Sequence, residues 1–187
     1  MSRSYWFGMV CLAAGLCLQS CGGNSNEKDK VVPKLSKSEL KASLTQMEDS
    51  LRMMQKNGVK IESLHQIEYI NRHLDYYRAY PEDKYSPVCL DKVQWMFLNL
   101  QAPQYSIDYS DTILEMYPKY KNRAGVLESQ GATYDAIVEP RDSAMVRKYY
   151  TMLLDENPSM DKEKREGIRK RLKNNHLSFD EWIMKNN

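Results

Sequence analysis

Three prolines divide the chain into units of similar length, and this spacing restricts its architecture more than any other feature. Pro81, Pro118 and Pro158 stand 37 and 40 residues apart, and the first two follow a tyrosine. Between them apolar residues recur at helical intervals, and no segment alternates as a half-buried strand would. One helix hairpin cannot bury its own apolar side, so units of this kind become stable by stacking on their neighbours. The expected fold class is all-α, antiparallel helix hairpins stacked in sequence.

Ser36 and Glu39 have the spacing of a capping box, in which hydroxyl and carboxylate each satisfy a backbone amide at a helix start. Leu40, Leu44, Met47, Leu51 and Met54 then form one stripe, and Asn57-Gly58 is a stop signal, because glycine accepts the left-handed conformation of a helix end. The stripe keeps a coiled-coil period for about two heptads, so it either packs within the domain or forms a dimer seam. A second helix is predicted over 62–79, with Leu64, Ile67, Ile70, Leu74 and Tyr77 on its packing side. Further helices are predicted over 87–100, 104–117, 122–138, 140–156 and 161–173. The segment 161–173 is apolar only at Ile168 and Leu172, which suits a last helix capping the stack. Ser178 and Glu181 then open a short helix holding Trp182 and Ile183.

Two of these units resemble tetratricopeptide (TPR) repeats. Leu90, Val93, Gln94, Phe97, Ser106, Ser110 and Pro118 fall at that pattern's spacings without a gap. Leu127, Gln130, Gly131, Tyr134, Val146, Tyr150 and Pro158 do so with three extra residues at the Glu139-Pro140-Arg141 turn. The pattern is degenerate. Leu90 stands where Trp is typical, Gln94 where a small residue lets helices approach, and Ser110 where an aromatic is usual. The resemblance implies a short TPR-like solenoid over 36–187 with a C-terminal capping helix; the alternative is an unrelated helical bundle.

The start of the chain is different in kind. Arg3, the apolar run 6–18 and then Leu18-Gln19-Ser20-Cys21 have the layout of a secretory signal. The run is short of the roughly 20 apolar residues that span a bilayer. The last four residues resemble the lipobox of bacterial lipoproteins, departing from it at Gln19, where Ala or Ser is commoner. The resemblance implies a signal peptide over 1–20, removal before Cys21, and acyl chains such as palmitate on that cysteine. An ordinary signal peptide with a chance cysteine is the alternative. Residues 21–35, rich in Gly, Asn, Ser and charge, read as a flexible tether. The expected location is the cell envelope, anchored in the outer membrane and facing the periplasm. The charged stretch 26–30 also resembles segments that route some bacterial lipoproteins to the cell surface. Cys11 and Cys17 would leave with the signal, so Cys89 would be the one thiol of the mature chain and no intrachain disulfide is expected.

Chemistry-bearing motifs are sparse. With 27 Lys and Arg against 25 Asp and Glu, bulk charge does not point to nucleic acid. The sequence has no GxSxG, HExxH, Walker loop or dinucleotide-binding glycine turn. Glu62 and His65 make a single Glu-x-x-His, whereas a di-iron bundle needs two. Cys89, among apolar helix residues, is read as core. No enzymatic activity, metal or cofactor is expected, apart from the lipid on Cys21.

In TPR domains the first helix of each unit lines a concave groove. By that resemblance the groove positions are Val88, Asp91, Trp95 and Leu98, then Gly125, Glu128, Ala132 and Asp135. Asp91, Trp95, Leu98, Glu128 and Asp135 are the expected partner-binding set, an acidic surface with one aromatic anchor, matched to a basic or amphipathic segment of another envelope protein. The expected function is a lipid-anchored adaptor, and the rival is a ligand-binding lipoprotein without catalysis. Replacing Cys21 with Ala is expected to abolish metabolic labelling of the protein by palmitate; label retained by that variant sinks the anchor.

Overall fold

The computed structural model describes residues 35–186, and every regular element among them is a helix. In chain order these are α1 (Lys37–Lys56), α2 (Ser63–Ala79), α3 (Ser86–Asn99), α4 (Pro103–Met116), α5 (Arg123–Ala136), α6 (Ser143–Glu156), α7 (Lys162–Lys173) and α8 (Phe179–Asn186). The expected signal peptide, Cys21 and nearly all of the tether lie outside the described residues.

Helix ends follow local chemistry. At α1 the Glu39 amide donates to Ser36 Oγ at 3.3 Å, and the Ser36 amide donates to the Glu39 carboxylate at 2.7 Å, which completes the capping box. Gly58, at φ 68°, follows the last turn. Proline sits in the first turn of α3 and of α4, where no intrahelical amide bond is lost. Asp142 and Asp161 cap α6 and α7 through their carboxylates. Ser178 and Glu181 repeat the reciprocal bonds at the start of α8.

Each helix from α1 to α7 packs on the next in the chain, and α8 returns to α5. Leu44 of α1 meets Tyr76 and Cys89, so the stripe of the first helix is used inside the domain. Ile70, Leu74, Leu90, Val93, Ile113 and Val126 form the central cluster, and Leu127, Tyr149 and Leu153 form the next. Burying such side chains contributes about 1.5–3 kcal/mol each. Two residues of the α2 stripe depart from expectation, for Leu64 is 75% exposed and Ile67 46%.

The middle of the stack is held by buried polar rungs. Gln94, fully buried, accepts from the Ser106 and Ser129 hydroxyls at 3.2 Å each and donates to Asp91 at 3.1 Å. Small serines on α4 and α5 make the room that a small residue on α3 would otherwise supply. One unit later Gln130 donates to Asp111 at 2.9 Å, and the buried Tyr149 hydroxyl donates to the same oxygen at 2.7 Å. Gly131 lies under the Tyr150 ring. A Cβ there would come within 2.4 Å of a ring carbon, so α5 and α6 approach to a distance that only glycine allows.

The C-terminal cap is fixed by charge as well as by apolar contact. Asp135, near the end of α5, accepts from Arg171 Nε and Nη2, both at 2.6 Å, and from Arg141 Nε and Nη2 at 2.9 and 2.7 Å. Side-chain exposure is 2% for Asp135 and 4% for Arg171. Arg171 also donates to the Asn174 and Leu177 carbonyls, and its guanidinium lies 5.4 Å from the centre of the Trp182 ring. Although the segment is apolar only at Ile168 and Leu172, the most buried side chain of α7 is an arginine. Removing the carboxylate leaves a buried guanidinium without its counter-charge, so Asp135→Ala is expected to cost about 3–5 kcal/mol in urea unfolding; a loss below about 1 kcal/mol would show that solvent reaches Arg171 freely.

Candidate partner-binding surface

Val88, Asp91, Trp95 and Leu98 recur at intervals of three and four on α3 and so share a helix face. Trp95 is 53% exposed and so is not packed between helices. Leu98 is half-buried, and Glu128 is accessible but ion-paired with Lys164 at 2.6 Å. Asp91 and Asp135 are placed differently from the expectation. Asp91 is 8% exposed and accepts from the Tyr120 hydroxyl and the Asn122 amide, each at 2.8 Å. Asp135 is held by its two arginines. Both carboxylates are committed inside the fold because each ties a turn or cap to the helix that carries it. The expected acidic surface is therefore largely neutralised, and Trp95, Leu98 and Glu128 are the members of the set that solvent reaches.

Toward the start of α3 this face runs into a groove of about 620 Å³, which Val88 helps to line. Its walls come from the start of α3, the end of α4 and the α4–α5 turn, and they are largely apolar: Val88, Met116, Tyr117, Pro118 and Tyr120. The Tyr117 hydroxyl donates to the Pro81 carbonyl at 2.6 Å and that of Tyr120 to Asp91, so both phenols spend their polar ends within the fold. Burial pushes Tyr117 up to about 12 and raises Tyr85 and Tyr120 as well, so the rings are neutral at physiological pH.

The charge in this groove is of one sign. Lys41, Lys84, Lys119 and Lys121 line it, and among the described residues no acidic one does. Among the described residues none of the four makes an ion pair, whereas Lys37, Lys92 and Lys164 each have a carboxylate partner. Lys41 is held by rings, its Nζ lying 5.2 Å from the centre of Tyr85 and 5.7 Å from that of Tyr76. A second concavity, about 640 Å³ beside Arg147 and His176, includes Lys148, whose Nζ sits 4.7 Å over the Tyr149 ring.

A separate polar cluster lies between α1, α2 and α3. His73 is fully buried, and its Nδ1 donates to the Tyr69 carbonyl at 2.8 Å, so in the neutral ring Nε2 presents a lone pair. That nitrogen faces Glu48 Oε1 at 3.3 Å, a contact that becomes a hydrogen bond only on protonation. Burial opposes that protonation and holds His73 below its ordinary value of 6.5, and nearby Lys92, which binds Glu48, acts in the same direction. Cys89 is a core thiol that burial pushes up to about 12, far from a thiolate at neutral pH. No group of three or more His, Cys, Asp or Glu among the described residues is placed to hold a metal ion.

No helix among the described residues is long and apolar enough to cross a membrane. The chain matches no family model, no curated protein and no solved structure.

The lysine groove escaped sequence reasoning because its residues come from α1, two turns and the ends of two helices. The one signal present in the chain was Lys119 and Lys121 around Tyr120, just after the Tyr117-Pro118 that closes a unit. For His73, the unfolded chain takes up the proton before the folded one, so folding stability falls as pH drops through 6.5 toward the lower folded value. Urea midpoints at pH 7.5 and 5.5 are expected to differ less in His73→Gln than in the wild-type chain. An equal difference in both would assign the acid sensitivity to other groups.

Proposed function

We propose that this protein is a lipid-anchored adaptor of the bacterial cell envelope: a short TPR-like solenoid, tethered through acylated Cys21, that holds another envelope protein near a membrane. Exposure of Trp95 in the body of α3, on a face shared with Leu98, is the observation that carries this reading. Tryptophan is enriched among the residues that dominate binding energy at interfaces. The solenoid reading is supported by the serial packing of α1 to α7, by four successive 14-residue helices, and by the close approach of Gly131 to Tyr150 at the pattern's small-residue position. The anchor reading is supported by the residues up to Cys21.

One observation favours a second reading, a ligand-binding lipoprotein without catalytic activity. The groove beside Val88 has a volume within the usual range of small-molecule sites and tyrosines in its walls. Stabilisation of the purified protein by a small molecule in a thermal-shift screen would favour that reading.

The adaptor is tested by a photoreactive residue at position 95 in native membranes, with mass spectrometry of what it captures. One dominant envelope protein is expected. Capture from exposed Leu64 but not from position 95 would move the contact to another face, and no protein captured at either position would sink the adaptor.

A further inference from the structure

The helix face that presents Trp95 opens at Val88 into the lysine-lined groove. We propose that this groove receives an acidic segment of the protein partner, with one apolar side chain seated between Val88 and Tyr117 and with carboxylates meeting Lys41, Lys84, Lys119 and Lys121. The inference rests on the adaptor reading and supplies the chemistry of what the adaptor holds.

Two independent features specify that occupant. The first is uncompensated charge: four ammonium groups border one concavity, and among the described residues none of them is ion-paired and no acidic one lines the groove. Ammonium groups gathered in this way repel one another and attract a segment of opposite sign, which also speeds encounter. The second is the apolar wall. Tyr117 and Tyr120 turn their hydroxyls inward, to the Pro81 carbonyl and to Asp91, and Met116 is 49% exposed beside them. A polyanion without an apolar side chain would leave that wall wet.

An anionic lipid surface is the competing occupant, since Leu35 and the start of α1 lie at this end of the stack, where Lys37 binds Asp83 of the α2–α3 turn. The groove is recessed between a helix start and a turn. An extended chain carrying one apolar residue among acids matches both its apolar wall and its lysine rim, whereas a headgroup layer offers only charge.

The test uses the full-length protein in detergent micelles, titrated by fluorescence anisotropy. The probes are a set of labelled ten-residue peptides, each with Asp and Glu around a single Phe or Leu, and the same set with Lys in place of the acids. Phosphatidylglycerol vesicles form a separate arm. The best acidic peptides are expected to bind at least about tenfold more tightly than their basic counterparts, and to weaken as salt rises past the screening range. Lys84→Glu combined with Lys121→Glu, two exposed positions, is expected to remove most of that binding with the helical circular dichroism unchanged, while Lys56→Glu on α1 leaves it intact. Equal binding of both peptide sets, or binding indifferent to the double reversal, overturns the proposal. Binding of vesicles and of no acidic peptide overturns it in favour of the membrane. Capture from position 95 is read separately, so a failed groove with continued capture leaves the adaptor standing, and loss of both removes it.

Discussion

A carboxylate withdrawn from water beside two guanidinium groups is tolerable only when nearly every polar atom finds a partner, and Asp135 meets that condition. Arg171 and Arg141 each give it two hydrogen bonds, and their remaining donors go to the Asn174, Asn175 and Leu177 carbonyls and to the Asn175 side chain. Asn175 in turn donates to the Ser143 carbonyl. One buried ion cluster thus joins the end of α5, the turn before α6, the end of α7 and the approach to α8. A row of helices that pack only on their neighbours has an open end, and the last helix of such a row lacks a partner on its outer side. Here the outer helix is very polar, and its most buried side chain is Arg171, held by Asp135. An ion pair of this kind contributes modestly to net stability, but breaking it is costly, since the partner left behind is a charge out of water.

The same economy runs through the interior. Gln94 and Gln130 sit where a hydrophobic stack would have aliphatic side chains, and each is satisfied across helices by serines or by a carboxylate. Directional bonds of this sort set which residue faces which, whereas apolar contact alone tolerates sliding. They also match the size of the side chain at two close helix contacts. Gln94 occupies a position suited to a small residue because Ser106 and Ser129 leave the space, and Gly131 keeps the small residue because Tyr150 occupies that space.

Charge that the fold uses internally is charge a partner cannot read. Asp91, Asp135 and, at the surface, Glu128 are engaged by the chain's own hydroxyls, arginines and lysine, so the α3 face is left with Trp95 and Leu98 and, at its start, with a lysine-bordered apolar groove. Counting residues on that face therefore overstates the negative charge a partner would meet. The buried cluster at His73 concerns stability more than recognition, because its ring nitrogen is sealed from solvent among α1, α2 and α3.

Much of the architecture was legible in the chain. The capping pairs Ser36/Glu39 and Ser178/Glu181, the stop at Gly58 and the prolines at helix starts act within a few residues, so these helix ends follow from local chemistry, whereas the helix predicted over 140–156 begins only at Ser143 and that over 122–138 ends at Ala136. The apolar stripes likewise determined that the class would be all-α. What the sequence could not decide was which polar side chains would meet. Asp135 and Arg171 are 36 residues apart, Gln94 and Ser129 are 35 apart, and Lys41 reaches the groove from a different helix than Val88. A side chain is an exposed charge or an internal fastening according to what lies opposite it after packing. That depends on the crossing of helices distant in sequence, which local preference does not encode, and so the candidate surface was decided by the tertiary structure.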